Sequence, residues 1–344
     1  MPSFDRRRRR PLALTVALVA LAAVIAACGD DDATTSSSPG GAGGSVVISG
    51  SSTVAPISAL VAEDFEDANP GASVTVDGPG TGDGFELFCA GETDISDASR
   101  PIKAEEAAAC EEAGIGYIEL KIAFDGMAVM TNPRNTAVEC LTLADLYALA
   151  GPESQGFRRW SDARALAAEL GSDTELPDLD LSMIAPGEES GTYDSFIEIV
   201  LAPVAKERVG AGVITEDEAS QTRPDYQASG DDNVIIQGIG GAGGSFGWVG
   251  FAFAHEAGDA IKVLEIDGGD GCVMPTPESI ADGTYPVSRA LYIYVSTEAA
   301  ARNATVTAFV DHYLGEGIGA VEEAGYVRLP DDQLVETRAA WAAR

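Results

Sequence analysis

The sequence predicts a globular α/β protein of two domains. From Ser45 onward, short apolar runs alternate with segments of helical period, which is the pattern of a sheet covered by helices. Hydrophobic residues make up 45% of the 344 positions, which is enough for a core and too many for a disordered chain. A chain of this length is typical of two domains rather than one.

The strands follow from apolar and β-branched runs, and the first helix from its period. We expect strands at residues 45–49, 74–76, 118–124, 127–131, 181–184, 246–253 and 291–295. In the helix expected over 55–67, one face carries Ile57, Leu60, Val61 and Phe65, and an Asn-Pro-Gly sequence follows it. Further helices are expected to begin at Phe85 and to span residues 193–201.

The charge balance excludes several kinds of partner. Asp and Glu number 55 against 21 Lys and Arg, which gives a formal charge of −34. Such an acidic chain is not expected to bind nucleic acid, whose recognition depends on neutralising phosphates. With two His and five scattered Cys, we predict no metal site and no cofactor.

The N-terminus is typical of an export signal. Five arginines at residues 6–10 precede an apolar stretch at 12–27 that is too short to span a bilayer comfortably. Residues 25–28 (Ile-Ala-Ala-Cys) resemble a bacterial lipobox, so we expect a signal peptide at 1–27 and lipidation of Cys28. Residues 28–44 are then a flexible tether outside the cell membrane. A transmembrane anchor with an unrelated cysteine is the alternative, and both Sec and twin-arginine export stay open.

Four further cysteines are expected to pair, because disulfides form outside the cytoplasm. Cys89, Cys110, Cys140 and Cys272 allow three pairings. We favour Cys89–Cys110, which closes a short loop, together with Cys140–Cys272. The alternative is four buried free thiols.

One arrangement occurs three times: a strand-like run, a loop of Gly, Ser and Thr, and the start of a helix. The loops are residues 50–54 (Gly-Ser-Ser-Thr-Val), 78–84 (Gly-Pro-Gly-Thr-Gly-Asp-Gly) and 189–192 (Glu-Ser-Gly-Thr). Helix N-termini bind anions through unpaired amides, and hydroxyl groups add donors. Each loop alone is an ordinary helix cap. Three of them at the carboxyl ends of strands predict one shared anion site.

Four ordered motifs resemble the substrate-binding lipoproteins of ABC-type phosphate importers. They are residues 50–56 (GSSTVAP), 80–85 (GTGDGF), 94–102 (DISDASRPI) and 189–192 (ESGT), with weaker likeness at 231–247 and 285–289. The resemblance implies a two-lobe type II periplasmic-binding-protein fold with crossover hinge segments near 123–126 and 285–288. Lobe one would comprise 45–125 and 286–344, and lobe two 126–285.

The resemblance also implies which residues hold the anion. Together with our own assignment of Arg100, the predicted phosphate-binding set is Ser52, Thr53, Val54, Thr81, Gly82, Ser99, Arg100, Ser190, Gly191 and Thr192. Many family members have an Arg where this chain has Pro186 and an Asp where it has Ser99. We expect Arg100 to supply the missing cation, since a guanidinium suits a tetrahedral oxyanion. The alternative is a surface ion pair of Arg100 with Asp94 or Asp97.

We therefore expect a monomer that captures inorganic phosphate and delivers it to an ABC-type permease without catalysis. The hydrogen-bond acceptor for protonated phosphate is left open among Asp83, Asp97 and Glu189, so sulfate or molybdate is an alternative ligand. A secreted serine hydrolase using Ser190 is a weaker alternative, because the G-x-S-x-G pattern is absent. The G-x-G-x-x-G match at 238–243 precedes a strand-like run, so we expect a flexible turn there.

Overall fold

A computed structural model of the protein describes residues 43–344. The predicted signal peptide, Cys28 and all but the last two residues of the predicted tether lie outside the described residues. Between residues 43 and 344, no helix combines the length and apolar character needed to cross a membrane.

The strands and helices alternate along the chain. The strands are β1 (Ser45–Gly50), β2 (Ser73–Asp77), β3 (Ile95–Ala98), β4 (Tyr117–Thr131), β5 (Cys140–Thr142), β6 (Ser182–Ala185), β7 (Gln227–Ala228), β8 (Ser245–Gly250), β9 (Lys262–Val263), β10 (Glu265–Asp267), β11 (Cys272–Val273), β12 (Ser288–Ser296) and β13 (Val327–Arg328). The α-helices are α1 (Ala55–Ala68), α2 (Thr81–Cys89), α3 (Ala104–Ala113), α4 (Leu143–Ala150), α5 (Arg164–Glu169), α6 (Gly191–Phe196), α7 (Ala202–Gly210), α8 (Glu216–Ala219), α9 (Asp232–Gly241), α10 (Phe251–Ala257), α11 (Pro277–Ala281), α12 (Thr297–Arg302), α13 (Ala304–Leu314), α14 (Ala320–Glu323) and α15 (Asp331–Ala342). A π-helical turn (Ile197–Leu201) joins α6 to α7.

The main sheet is mixed, which confirms the α/β class. Its strand order is β2-β1-β3-β12-β4-β8-β6-β7. β1 is parallel to β2 and β3, whereas β12 is antiparallel to both β3 and β4. On the other side, β4 is antiparallel to β8, and β8 is parallel to β6. The carboxyl ends of β1 and β3 lie at one edge, where the first predicted loop begins.

β4 belongs to both halves of this sheet. Its first part, up to Gly126, pairs with β12, and its last part, from Met127, pairs with β8. The two separate strands predicted at 118–124 and 127–131 are one strand, because Asp125 and Gly126 continue the pairing opposite Arg289 and Ser288. One predicted crossover therefore lies inside β4, and the other lies at the start of β12. The lobe boundaries themselves stay a prediction.

Two glycine-rich segments are helical where the sequence predicted otherwise. α2 begins at Thr81, four residues before the predicted start at Phe85, and it lies directly on β1: a Cβ added at Gly84 would lie 2.4 Å from the Cα of Gly50. The flexible turn expected at 238–243 was wrong, because residues up to 241 form the end of α9. There a Cβ added at Gly238 would lie 2.4 Å from the Cδ1 of Ile184, so the glycine allows close packing of the helix on the sheet. The strand predicted at 246–253 ends at Gly250, where α10 follows.

Both favoured disulfides are present in the structure. Cys89–Cys110 spans 21 residues and joins the end of α2 to α3. Cys140–Cys272 spans 132 residues and joins β5 to β11, on either side of β10. The Cys140–Cys272 bridge closes a loop that contains most of the chain between the two predicted crossovers. It therefore lowers the conformational entropy of the unfolded chain more than the Cys89–Cys110 bridge does.

The double variant Cys140→Ala/Cys272→Ala is expected to lower the free energy of unfolding by about 4 to 5 kcal/mol, because it releases this long loop in the unfolded chain. The measurement is urea unfolding under non-reducing conditions. Met274→Ala, which truncates an exposed neighbour, is the control and should change stability by less than about 0.5 kcal/mol. A double variant as stable as the wild type would contradict this account.

Candidate functional site

The first predicted loop is fixed by close contact with the end of β3. A Cβ added at Gly50 would lie 2.1 Å from the carbonyl oxygen of Asp97, so only glycine fits there. The Ser51 amide donates a hydrogen bond to that carbonyl (2.9 Å), and the Ser51 Oγ accepts one from the Thr53 amide (3.2 Å). The Val54 amide donates to the Ser51 carbonyl (3.1 Å). These bonds fix the backbone that presents the Thr53 hydroxyl.

The second predicted loop brings Thr81 and Ser99 together. Their hydroxyl oxygens are 3.0 Å apart, and the Ser99 amide donates to the Thr81 Oγ1 (3.2 Å). Thr81 is the first residue of α2, whose first amides have no acceptor inside the helix. Gly82 follows, and a Cβ added there would meet no atom of the described residues within 4 Å. The N-terminus of α2 is therefore open beside Gly82.

The third predicted loop packs against the first, although about 140 residues separate them in sequence. A Cβ added at Gly191 would lie 3.5 Å from both the Ser52 carbonyl oxygen and the Thr53 Cα. The Ser52 Oγ donates to the Asp194 carboxylate (2.7 Å). The Ser190 Oγ caps α6 by accepting a hydrogen bond from the Thr192 amide (3.2 Å).

Arg289 connects the loops from the start of β12. Its Nη2 donates to the Thr53 Oγ1 (3.1 Å) and to the Ser195 Oγ (2.7 Å). Its Nη1 donates to the Glu198 carboxylate, and its Nε lies 3.4 Å from the Asp125 Oδ2. The side chain is only 14% exposed, so this guanidinium is a nearly buried cation held by partners from three separate segments: the first loop, the helix after the third loop and β4.

The second loop joins the same network through Glu198. The Ser99 Oγ lies 3.5 Å from the Glu198 Oε2, which also accepts from Arg289. The first loop therefore contacts this guanidinium directly, and the second and third loops are connected to it through Glu198 and Ser195. Nine predicted residues lie on the three loops or contact the network around Arg289: Ser52, Thr53, Val54, Thr81, Gly82, Ser99, Ser190, Gly191 and Thr192.

Arg100 lies outside this network. Its Nη1 and Nη2 donate to the two carboxylate oxygens of Glu106 (2.8 and 2.6 Å), and its guanidinium lies 5.6 Å from the centre of the Phe85 ring. Neither proposed alternative partner applies, because Asp94 accepts from the Val47 amide and Asp97 from the Ser58 hydroxyl. A ligand role for Arg100 would require release of Glu106, and it stays a prediction.

Sequence reasoning missed five side chains of the network. They are Asp125, Asp194, Ser195, Glu198 and Arg289. Arg289 had a signal, because it ends the segment at 285–289 that weakly resembles the phosphate-binding lipoproteins. The other four lie on β4 and on the helix after the third loop, where the sequence pattern indicates only secondary structure.

Burial shifts the titration of the carboxyl groups near the site. Burial raises the pKa of Asp125, and the charge of Arg289 opposes this. It also raises the pKa of half-buried Asp194, against a hydrogen bond from Ser52. Asp97 is fully buried, and burial raises its pKa to about 7. Its Oδ1 accepts from the Ser58 Oγ (3.0 Å), and its Oδ2 has no hydrogen-bond partner in the part of the chain described here.

Loops rich in glycine and hydroxyl groups that converge at the ends of strands are typical of ligand-binding α/β proteins. Residues 35–316 match the model of the PBP superfamily domain, and the chain belongs to this superfamily. It is 40% identical over 283 residues to Protein SphX of Synechococcus elongatus, covering 82% of this chain and 76% of SphX. It is 34% identical over 283 residues to Phosphate-binding protein PstS of Staphylococcus haemolyticus, covering 82% of this chain and 80% of PstS.

A solved structure has the same fold. The crystal structure of a possible phosphate binding protein from Planctomyces limnophilus is 34% identical, with a TM-score of 0.75, and the match covers 87% of this chain and 98% of that one. The two-lobe type II periplasmic-binding-protein fold expected from the sequence is therefore confirmed.

Asp97→Asn is expected to weaken the pH dependence of stability. Because the pKa of the folded state is about 7 against an ordinary value of 3.8, the folded protein binds this proton more tightly than the unfolded chain. The resulting stability is fully present below about pH 4 and is lost as the pH rises through 7, a change of roughly 4 kcal/mol.

The measurement is urea unfolding of wild type and variant at several pH values between 4 and 8. Wild type should lose more stability than Asp97→Asn across this interval. Asp83→Asn, which alters an exposed carboxyl on α2, should keep the wild-type dependence. Parallel curves for wild type and Asp97→Asn would show that burial does not hold a proton on Asp97.

Proposed function

We propose that the protein binds inorganic phosphate outside the cell membrane and delivers it to an ABC-type permease, without catalysing a reaction. The observation that carries the proposal is the network that connects the three loops to Arg289, with the hydroxyls of Thr53 and Ser195 on its Nη2. A guanidinium bonded to two hydroxyl groups, in a network that reaches the open N-terminus of α2, suits a tetrahedral oxyanion. The name of the staphylococcal relative and the description of the Planctomyces structure support phosphate as that oxyanion.

The proposed ligand set is the one predicted from the sequence with Arg289 as the principal cation. Thr53, Thr81 and Ser99 would supply hydroxyl groups, and the open N-terminus of α2 at Gly82 would supply amides. Gly191 would allow the anion to approach the backbone of the third loop. The set extends to Ser52, Val54, Ser190 and Thr192, which lie on the same loops.

Phosphate differs from sulfate in carrying a proton near neutral pH, so a carboxylate in the site can select for it. The carboxylates of Asp125 and Asp194 belong to the network, whereas Asp97 is buried against Ser58 and Asp83 and Glu189 are exposed. A carboxylate accepts the hydrogen bond of monohydrogen phosphate and repels sulfate. We propose Asp125 and Asp194 as acceptors in place of the three carboxylates predicted from the sequence.

The contacts of Ser190 and of the two histidines support binding without catalysis. Ser190 Oγ serves as the cap of α6. His255 stacks on Phe251, and the His312 Nε2 lies 3.0 Å from the Asp64 carboxylate. Each histidine is therefore engaged in a local contact on its own helix or a neighbouring one.

We also propose the topology that the sequence predicts: a signal peptide at 1–27, a lipid on Cys28, a tether to residue 44, and lobes of 45–125 with 286–344 and of 126–285. The mature protein would act as a lipid-anchored monomer. The switch of β4 from pairing with β12 to pairing with β8 after Gly126 supports a lobe boundary at that point.

Isothermal titration of the purified, phosphate-stripped protein tests the ligand. We expect one phosphate per chain to bind with measurable heat, and sulfate and molybdate to give none at the same concentrations. Heat with sulfate or molybdate and none with phosphate would overturn the assignment.

Arg289→Ala is expected to weaken phosphate binding about 100-fold, because it removes charge-assisted hydrogen bonds with a combined contribution of about 3 kcal/mol. Arg289→Lys keeps the charge without the planar donors, so its phosphate affinity should lie between those of Arg289→Ala and the wild type. Arg100→Ala is the matched comparison and should change affinity less than about threefold, because Glu106 already holds that guanidinium.

The measurement is titration of each variant after its thermal unfolding transition has been checked. If Arg100→Ala lost much of the phosphate affinity and Arg289→Ala kept it, the cation that binds phosphate would be Arg100, as we expected from the sequence alone.

A further inference from the structure

Glu198 is placed in the site by an unusual piece of backbone. It lies in the π-helical turn (Ile197–Leu201) that follows α6, and such turns are rare and often found at functional sites. The same helical segment begins with the third loop, so Gly191 and Glu198 are about two turns apart on one rigid element. The segment therefore carries anion-binding backbone at its start and a negative charge further along.

Glu198 contacts the groups that we propose for phosphate. Its carboxylate accepts from the Arg289 Nη1, and its Oε2 lies 3.5 Å from the Ser99 Oγ. These two donors come from β12 and from the end of β3, so one carboxylate links both to the helix after the third loop. A carboxylate and a phosphate are both oxyanions and use the same donors. The two anions therefore compete for Arg289 and Ser99.

The charges around Arg289 show which carboxylate can leave. The guanidinium faces two carboxylates, Asp125 and Glu198. The Asp125 side chain is 4% exposed, so it has no route to water, whereas the Glu198 side chain is 52% exposed. Asp125 is therefore the permanent counter-charge, and Glu198 can turn outward into solvent. A phosphate on the same guanidinium would be repelled by the Glu198 carboxylate unless Glu198 moves.

We propose that Glu198 is an internal competitor of phosphate, which binds Arg289 and Ser99 and must be displaced when the ligand enters. This inference rests on the proposed function, because it assumes that phosphate is the ligand. The competition lowers phosphate affinity below what the donors alone provide. It also excludes anions that interact with the guanidinium more weakly than the carboxylate does.

A different role for Glu198 predicts the opposite sign. If Glu198 accepted the hydrogen bond of monohydrogen phosphate, its removal would weaken binding, as loss of an acceptor leaves the ligand proton unpaired. As a competitor, its removal strengthens binding. The direction of the change in affinity therefore separates the two roles.

The experiment is phosphate titration of Glu198→Gln, which keeps the size of the side chain and removes its charge. We expect binding about five- to tenfold tighter than wild type, which corresponds to release of one partly exposed ion pair. Glu198→Ala should shift affinity in the same direction and serves if the Gln variant does not fold. Glu188→Gln removes a negative charge from the exposed loop before α6 and should change affinity less than twofold.

A double variant separates competition for Arg289 from a general charge effect. In the Arg289→Ala background, Glu198→Gln should improve binding less than twofold, because the contested guanidinium is absent. Equal or weaker binding by Glu198→Gln and Glu198→Ala in the wild-type background would overturn the inference. So would an equal gain from Glu188→Gln or an undiminished gain in the Arg289→Ala background. A wild-type protein that binds no phosphate would instead refute the proposed function.

Discussion

The arrangement of the site depends on one nearly buried guanidinium in a strongly acidic protein. Arg289 joins the first loop through Thr53, the helix after the third loop through Ser195, and the long central strand through Asp125. A buried cation is stable only where hydrogen-bond and ionic partners surround it, and these segments supply the partners of Arg289. The same contacts link the segments to one another. The formal charge of −34 does not oppose this, because salt screens distant surface charges and leaves local contacts intact.

Glycines set the distances between the parts that surround Arg289. Gly50 lets β1 approach the backbone of β3 at Asp97, and Gly84 lets α2 lie directly on Gly50. These backbone contacts fix where the N-termini of α1 and α2 point, independently of any ligand. Donors that are already in place bind with a smaller loss of conformational freedom. Backbone packing therefore preorganises the proposed site, which the side-chain hydroxyl groups would complete.

Local pattern predicted much of this molecule, and long-range pairing decided the rest. The helix at α1, the strand runs, the three loops and the Cys89–Cys110 disulfide follow from spacing and composition within short windows. The Cys140–Cys272 disulfide was favoured only as the pairing that remains once the short one is chosen. The continuity of β4 depends on pairing with a strand about 165 residues later, which no window contains. Gly238 of α9 packs against Ile184, which lies in β6 far earlier in the chain, so the helical state of that glycine-rich segment also depends on a long-range contact. Which residues of the site bind the ligand also depends on contacts between residues that are far apart in sequence, so a local pattern does not predict it.

Pro186 lies where the resemblance to the phosphate-binding lipoproteins led us to expect an Arg. The Tyr226 hydroxyl donates to the Pro186 carbonyl (2.6 Å), so that stretch of backbone is occupied by a neighbouring side chain. The positive charge of an anion site can come from any element of the fold, because its attraction for the anion depends on the distance between the charges and not on sequence order. Proximity in sequence to Ser99 favoured Arg100. The structure instead brings Arg289 to the loops from the start of β12, where both halves of the sheet meet. In the proposed site, the charge that the third loop lacks would thus be supplied by Arg289 from the predicted hinge of the molecule.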